Sequence, residues 1–180
     1  MMQKSARVFI LPGLGSSGAR HWQTYFERLH PEFIRIEQRD WDAPDRTEWV
    51  GAVARALAGE DPGRVVLVAH SLGCVTVAHW AAQYGQAIRG ALLVAPSDVE
   101  TARYATFPTT GFAPMPLQRL PFASTVVASG NDEWVSVTRA RQFATAWGSE
   151  LVCLGPAGHI NADSGHGEWP GGVALLRKWL

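Results

Sequence analysis

The sequence predicts an α/β fold: a mostly parallel sheet covered by helices on both faces. Three observations predict it. Strand-like apolar runs and helical patterns alternate, in the order β-α-β-α-β-α-β, a long loop, then β-α-β-α, and such alternation implies right-handed crossovers between parallel strands. Val65-Val66-Leu67-Val68 is a run of four branched apolar residues, as expected for a strand buried on both faces. That run passes directly into Ala69-His70-Ser71-Leu72-Gly73 and then an alanine-rich helical pattern, which reads as strand, sharp turn and helix. The chain has 180 residues, enough for one domain (1–180) with a sizeable core.

Taken in order, Arg7 to Leu11 is the first strand and residues 12–18 (PGLGSSG) form a loop rich in flexible backbone. A helix follows over about residues 20–29, with Trp22, Tyr25, Phe26 and Leu29 at helical spacing, and His30-Pro31 stops it. Phe33 to Ile36 is the second strand. The loop 37–44 leads to a helix that Thr47 would cap and that ends near Ala58. Asp61-Pro62-Gly63 is a turn, Arg64 to Ala69 the third strand, and Val75 to Tyr84 the following helix. Ile88 to Ala95 is the fourth strand. Residues 96–121 carry five prolines and no clear periodicity, with a short helical piece expected at 99–103. Ala123 to Ser129 is the fifth strand, Gly130 to Glu133 a tight turn, and Val137 to Trp147 a helix. Glu150 to Leu154 is the sixth strand, 155–167 a glycine-rich loop, and Val173 to Leu180 the last helix.

Composition removes several function classes. Lys+Arg and Asp+Glu are both 16, so the formal net charge is zero, and no basic stripe suggests a nucleic-acid surface. No apolar run approaches the roughly 18 residues of a membrane helix, and Val8 to Leu11 is too short for a signal segment. A cytoplasmic location without membrane contact is the expectation. Cys74 and Cys153 fall in a helix and a strand and read as small buried hydrophobes. The six histidines show no metal-ligand spacing, so no metal is expected. Of the eight tryptophans, most lie on helices and pack them onto the sheet, whereas Trp41 and Trp134 are in loops and could line a pocket.

In a parallel sheet, ligands bind beyond the carboxyl ends of the strands. Three of those loops each carry one reactive residue: Ser71, Asp132 and His159. A serine hydroxyl is a weak nucleophile until a base takes its proton, and a histidine does so best when a carboxylate fixes its tautomer. The order Ser, Asp, His, with Asp after the penultimate strand and His after the last, is that of the α/β-hydrolases. Ala69-x-Ser71-x-Gly73 approximates the G-x-S-x-G elbow, with one methyl more than the strict pattern. The elbow aims the Leu72 N–H at a developing oxyanion, and by position Leu14 in the first loop supplies the second N–H. Asp98 is a rival acid and His166 a rival base. Gly13-x-Gly15-x-x-Gly18 also fits a dinucleotide-binding pattern, with Glu37 or Asp40 about 20–27 residues further on. Pro12 interrupts the strand-to-glycine passage, however, and that reading leaves Ser71, Asp132 and His159 without a role.

The stretches 12–23 (PGLGSSGARHWQ), 40–49 (DWDAPDRTEW), 66–81 (VLVAHSLGCVTVAHWA), 90–100 (GALLVAPSDVE), 128–134 (ASGNDEW) and 158–170 (GHINADSGHGEWP) together resemble the retinoblastoma-binding-protein-nine/YdeN family of small serine hydrolases. The resemblance implies a compact α/β-hydrolase fold with strand order 2-1-3-4-5-6 and no large lid. It carries the catalytic roles onto Ser71, Asp132 and His159, and separately no nicotinamide or flavin cofactor is expected. The pocket-protein-binding pattern L-x-C-x-E of one branch is broken here, since Gly155 stands where the acid should be.

The expected function is therefore a serine hydrolase, carboxylesterase-like (EC 3.1), cleaving a small ester or amide through an acyl-Ser71 intermediate. The alternative is a non-catalytic interaction protein on the same scaffold. Trp41, Trp134, Phe107 and Phe112 are expected to wall a shallow aromatic cleft.

Overall fold

A computed structural model describes residues 5–180. Its centre is a six-stranded sheet in the order β2-β1-β3-β4-β5-β6, parallel at every pairing. The strands are β1 (Arg7–Leu11), β2 (Ile34–Arg35), β3 (Val65–His70), β4 (Gly90–Val94), β5 (Ser124–Ala128) and β6 (Glu150–Cys153). The helices are α1 (Trp22–Leu29), α2 (Arg46–Leu57), α3 (Leu72–Tyr84), α4 (Val137–Trp147) and α5 (Pro170–Leu176). This is the architecture and strand order of the α/β-hydrolase fold. No helix of the described residues is long and apolar enough to cross a membrane.

Alternation along the strands divides the core in two. Phe9, Leu11, Leu67, Ala69, Ala91, Leu93 and Val126 face one way and pack against α2, α3 and α4. Val8, Ile10, Val66, Val68, Leu92, Val94 and Val127 face the other way, toward α1 and α5. Successive strand residues point to opposite faces, so the unbroken apolar run of β3 serves both layers, and all six of its residues are buried. Trp22, Trp49, Trp80 and Trp147 fill these layers at 1% exposure or less.

Several elements depart from the sequence reading. Asp45, not Thr47, caps α2: its carboxylate accepts from the N–H groups of Thr47 and Glu48 at 2.8 and 3.1 Å. An aspartate two residues earlier can take both orphan donors, where a threonine hydroxyl would take one. Strand β2, at one edge of the sheet, is only two residues long, Ile34–Arg35, rather than Phe33 to Ile36. In 96–122 the helical piece is a 3-10 turn at Tyr104–Thr106 rather than at 99–103. That segment is strapped down from several sides: His79 Nε2 donates to the Phe112 carbonyl at 2.8 Å, Trp147 Nε1 to that of Pro116 at 2.8 Å, and Thr110 pairs with Pro44 and Arg46. The last helix starts at Pro170, a residue suited to a first helical position, and finishes as a 3-10 turn at Arg177–Trp179.

Candidate active site

Ser71 stands between β3 and α3 with φ 55° and ψ −121°, a backbone conformation rarely adopted by residues other than glycine. Strain of this kind persists only where the surroundings over-determine it, and here they do. The Ser71 N–H bonds the Val94 carbonyl of β4 at 3.0 Å, and the Cys74 N–H bonds the Ser71 carbonyl at 3.0 Å. A Cβ on Gly73 would lie 2.8 Å from the Pro12 carbonyl oxygen and nearer still to that of Leu11. A Cβ on Gly13 would lie 2.9 Å from the Ser71 Cβ. The elbow thus needs glycine at 73 and 13, whereas Ala69 sits within the strand, fully buried.

The three reactive loop residues meet. His159 Nε2 is 2.9 Å from Ser71 Oγ, and His159 Nδ1 is 3.0 and 2.9 Å from the two carboxylate oxygens of Asp132. The Asp132 side chain is fully buried and the His159 side chain is 11% exposed. Asp132 also accepts from the Trp134 N–H at 2.8 Å. The loops that carry acid and base are stapled together: Gly130 N–H to the Gly155 carbonyl at 2.6 Å, Ala157 N–H to Ser129 Oγ at 2.9 Å, and Gly158 N–H to Asn131 Oδ1 at 2.7 Å. The two rivals lie elsewhere. Asp98 is held by Arg139 at 3.2 Å and caps the Glu100 N–H, and His166 contacts Ser164 and Trp169.

A second histidine backs His159. His70 is buried, its Nε2 2.9 Å from the His159 main-chain carbonyl and its ring 4.8 Å from the His159 ring. A ring nitrogen facing a carbonyl must carry the proton, so His70 donates and fixes the backbone of His159. Burial pushes His70 well below the ordinary imidazole range, and chiefly burial pushes His21, 4.7 Å away ring to ring, down to about 4. Both are neutral imidazoles near neutral pH.

A cavity of about 170 Å³ opens on Ser71, lined by Leu14, Ser71, Ser97, Tyr104, Phe107, Trp134 and His159. Of the four aromatic residues expected at the cleft, Phe107 and Trp134 line it, with ring centroids 5.2 Å apart, and the Arg103 guanidinium covers Trp134 at 4.1 Å. Trp41 and Phe112 do not. Trp41 packs edge-on against Trp49, and its carbonyl instead pins the first loop by accepting the Gly15 N–H at 2.8 Å. Phe112 is buried against Trp49 and His79. Leu14 borders the cavity, and Leu72, the first residue of α3, has an N–H with no carbonyl one turn back to bond.

The glycine pattern at 13, 15 and 18 does not open a helix. Helix α1 begins only at Trp22, with His21 as its cap, and Gly13 is pressed against the elbow. Among the described residues no group of three or more His, Cys, Asp or Glu is placed to hold a metal ion.

Ser97 and Tyr104 were not picked out from the sequence. Ser97 lies three residues beyond the end of β4, in a loop that the rule of sites beyond strand ends indicates, but nothing adjacent in the chain marks it. Its hydroxyl lies 2.7 Å from Ser71 Oγ, a contact made across 26 residues.

Comparison with known proteins places the chain. A YdeN-like hydrolase from Pectobacterium atrosepticum is 36% identical, with 97% of this chain and 90% of that one covered and a TM-score of 0.84. The ydeN gene product of Bacillus subtilis is 19% identical over 97% of this chain and 98% of that one, TM-score 0.82. An esterase from Thermogutta terrifontis, solved with butyrate bound, is 18% identical over 99% of this chain and 83% of that one, TM-score 0.66. No curated protein matches the chain in sequence. The family model described as serine hydrolase matches residues 8–178, nearly the whole length, and with the Pectobacterium relative it makes this chain a member of the YdeN-like serine hydrolases.

Proposed function

We propose that the chain hydrolyses small carboxylic esters through an acyl-Ser71 intermediate, with His159 as base and then acid and Asp132 as its orienting carboxylate. The observation that carries this reading is the continuous line of contacts from Asp132 through His159 to the strained Ser71, each at 3.0 Å or less. Asp132 accepts a hydrogen bond from His159 Nδ1–H and remains ionised, which leaves Nε2 unprotonated to accept the Ser71 proton. Ser71 Oγ then bonds the carbonyl carbon, and the carbonyl oxygen gathers charge facing the N–H groups of Leu14 and Leu72. Collapse expels the alcohol, which takes the proton from His159. Water repeats the sequence on the acyl-enzyme, releases the acid and restores Ser71.

The cavity supports a small acyl group. Its volume is about 170 Å³, Leu14, Phe107 and Trp134 supply apolar wall, and the Thermogutta esterase, which shares the fold, holds butyrate. A fluorophosphonate probe tests the reading, since only an activated serine reacts with it. The wild type should label at Ser71, and Ser71→Ala should neither label nor turn over p-nitrophenyl acetate. Undiminished hydrolysis by the Ser71→Ala variant would remove Ser71 from the reaction.

A further inference from the structure

We propose that Ser97 is a catalytic residue of the same site, whose hydroxyl donates a hydrogen bond to Ser71 Oγ and helps that oxygen leave when the acyl-enzyme breaks down. The proposal rests on the reading of Ser71 as the nucleophile.

Ser97 is 1% exposed, lines the cavity, and has its hydroxyl 2.7 Å from Ser71 Oγ. The segment that carries it is anchored on both sides. Ala95, with φ 49°, bonds the Val127 carbonyl at 2.8 Å, and the Asp98 N–H bonds the Trp134 carbonyl at 3.0 Å. The Asp98 carboxylate is tied to Arg139.

Two hydroxyls in contact leave the direction of the bond open until protons are counted. Ser71 has one. With Asp132 accepting from Nδ1, His159 Nε2 is an acceptor 2.9 Å away, and the Ser71 proton points there. Ser97 must therefore be the donor.

A hydrogen bond donated to an oxygen weakens it as a nucleophile and improves it as a leaving group. In deacylation water attacks the acyl carbon and gives its proton to His159. The C–Oγ bond then breaks with its electron pair kept on Oγ, and Oγ takes the proton back from His159 Nε2. Ser97 gains and loses no proton. It donates to Oγ while charge builds there, where a hydrogen bond is worth most. The same bond slightly restrains the attack in acylation. Its removal should slow the second step and spare the first.

Pre-steady-state hydrolysis of p-nitrophenyl acetate separates the two steps. Ser97→Ala should label normally with the fluorophosphonate and release a burst of one equivalent of nitrophenol. A steady state about 10- to 100-fold slower than wild type should follow, the range a hydrogen bond to a charged group spans. KM should fall with kcat, so that kcat/KM is nearly unchanged, and intact-protein mass should show an acetyl adduct that wild type does not accumulate. Ser97→Thr, which restores the donor, should recover the slow step. Ser97→Cys, of similar size but a weak donor, should act as Ala does, and it carries the test should Ala disturb the fold. An unchanged kcat, or equal losses in kcat and kcat/KM without a burst, would overturn the proposal. Absence of labelling in the wild type would instead overturn the nucleophile assignment on which it rests.

Discussion

At the residue scale the site separates groups that the sequence marks from groups it does not. Ser71, Asp132 and His159 were legible because each follows a strand and because chain order matches a known pattern. The expectation for Leu14 and Leu72 rests on offset from Pro12 and Ser71, and the structure puts Leu14 at the cavity and Leu72 at the start of α3. Ser97 and His70 act across 26 and 89 residues of chain, on Ser71 Oγ and the His159 carbonyl, and no local spacing encodes such contacts. Trp41 and Phe112 were misplaced for the opposite reason. An aromatic residue in a loop reads as a pocket wall, but the neighbouring Trp49 offered both of them a buried partner. The two candidate acids give a sharp comparison. Asp132→Asn should cost about 10⁴-fold in kcat, because the amide favours the wrong tautomer of His159. Asp98→Asn should leave kcat within a few-fold and instead loosen Arg139, which steady-state kinetics beside a thermal melt would show. The reverse ranking would transfer the acid role to the fourth strand.

At the scale of elements, β1 and α4 have the limits the sequence reading gives, whereas the buried α3 begins at Leu72, three residues before the expected Val75, because the helix starts at the turn itself. The cap of α2 and the length of β2 also differ from that reading, with Asp45 in place of Thr47 and two residues in place of four. Helix α3 packs against the backbone at the end of β1. Gly73→Ala would drive a methyl into the Leu11 and Pro12 carbonyls, backbone that cannot turn aside. It should cost about 3 kcal/mol or more, at or beyond the usual range of overpacking, in a urea titration. A variant as stable as wild type would show that the elbow tolerates more space than its geometry indicates. Helix α1 offers a second test. His21 caps it by accepting the Gln23 N–H at 3.2 Å, and the fold holds this histidine near 4 and His70 well below its ordinary value. The unfolded chain binds protons at these positions first, near pH 6.5. Their neutral burial is therefore without cost above about pH 6.5, and stability is lost as pH falls toward 4, by about 1 kcal/mol per pH unit for each group. His21→Asn keeps a good capping side chain and removes one proton site. Its melting temperature should fall less steeply than that of wild type between pH 6.5 and 5, and an unchanged slope would exclude His21 as a source of the acid sensitivity.

At the scale of the whole molecule, the cavity beside Ser71 is lined in part by Tyr104 and Phe107. Both also line a second space of about 250 Å³ with Val99, Thr109 and Phe112. Each buried methylene is worth about 0.8 kcal/mol while it finds apolar wall. On the proposed esterase reading, kcat/KM should climb over acyl chains of roughly two to six carbons and then level off. Tyr104→Ala should join the two spaces and move the plateau to longer chains. A wild type whose activity kept rising to dodecanoyl esters would contradict a short pocket. The staple between the loops after β5 and β6 has a consequence in time as well. The contacts described at the Ser71 elbow, from the loop after β1 to the end of β4, come from the first 97 residues of the chain. The base and the loop that clamps it to Asp132 come only at 155–159, and the His70 bond that steadies it reaches back across 89 residues. A chain growing from its amino end on the ribosome therefore presents Ser71, the proposed nucleophile, before His159, its proposed base, has been made, and β6, at the edge of the sheet, directly precedes the loop that brings it.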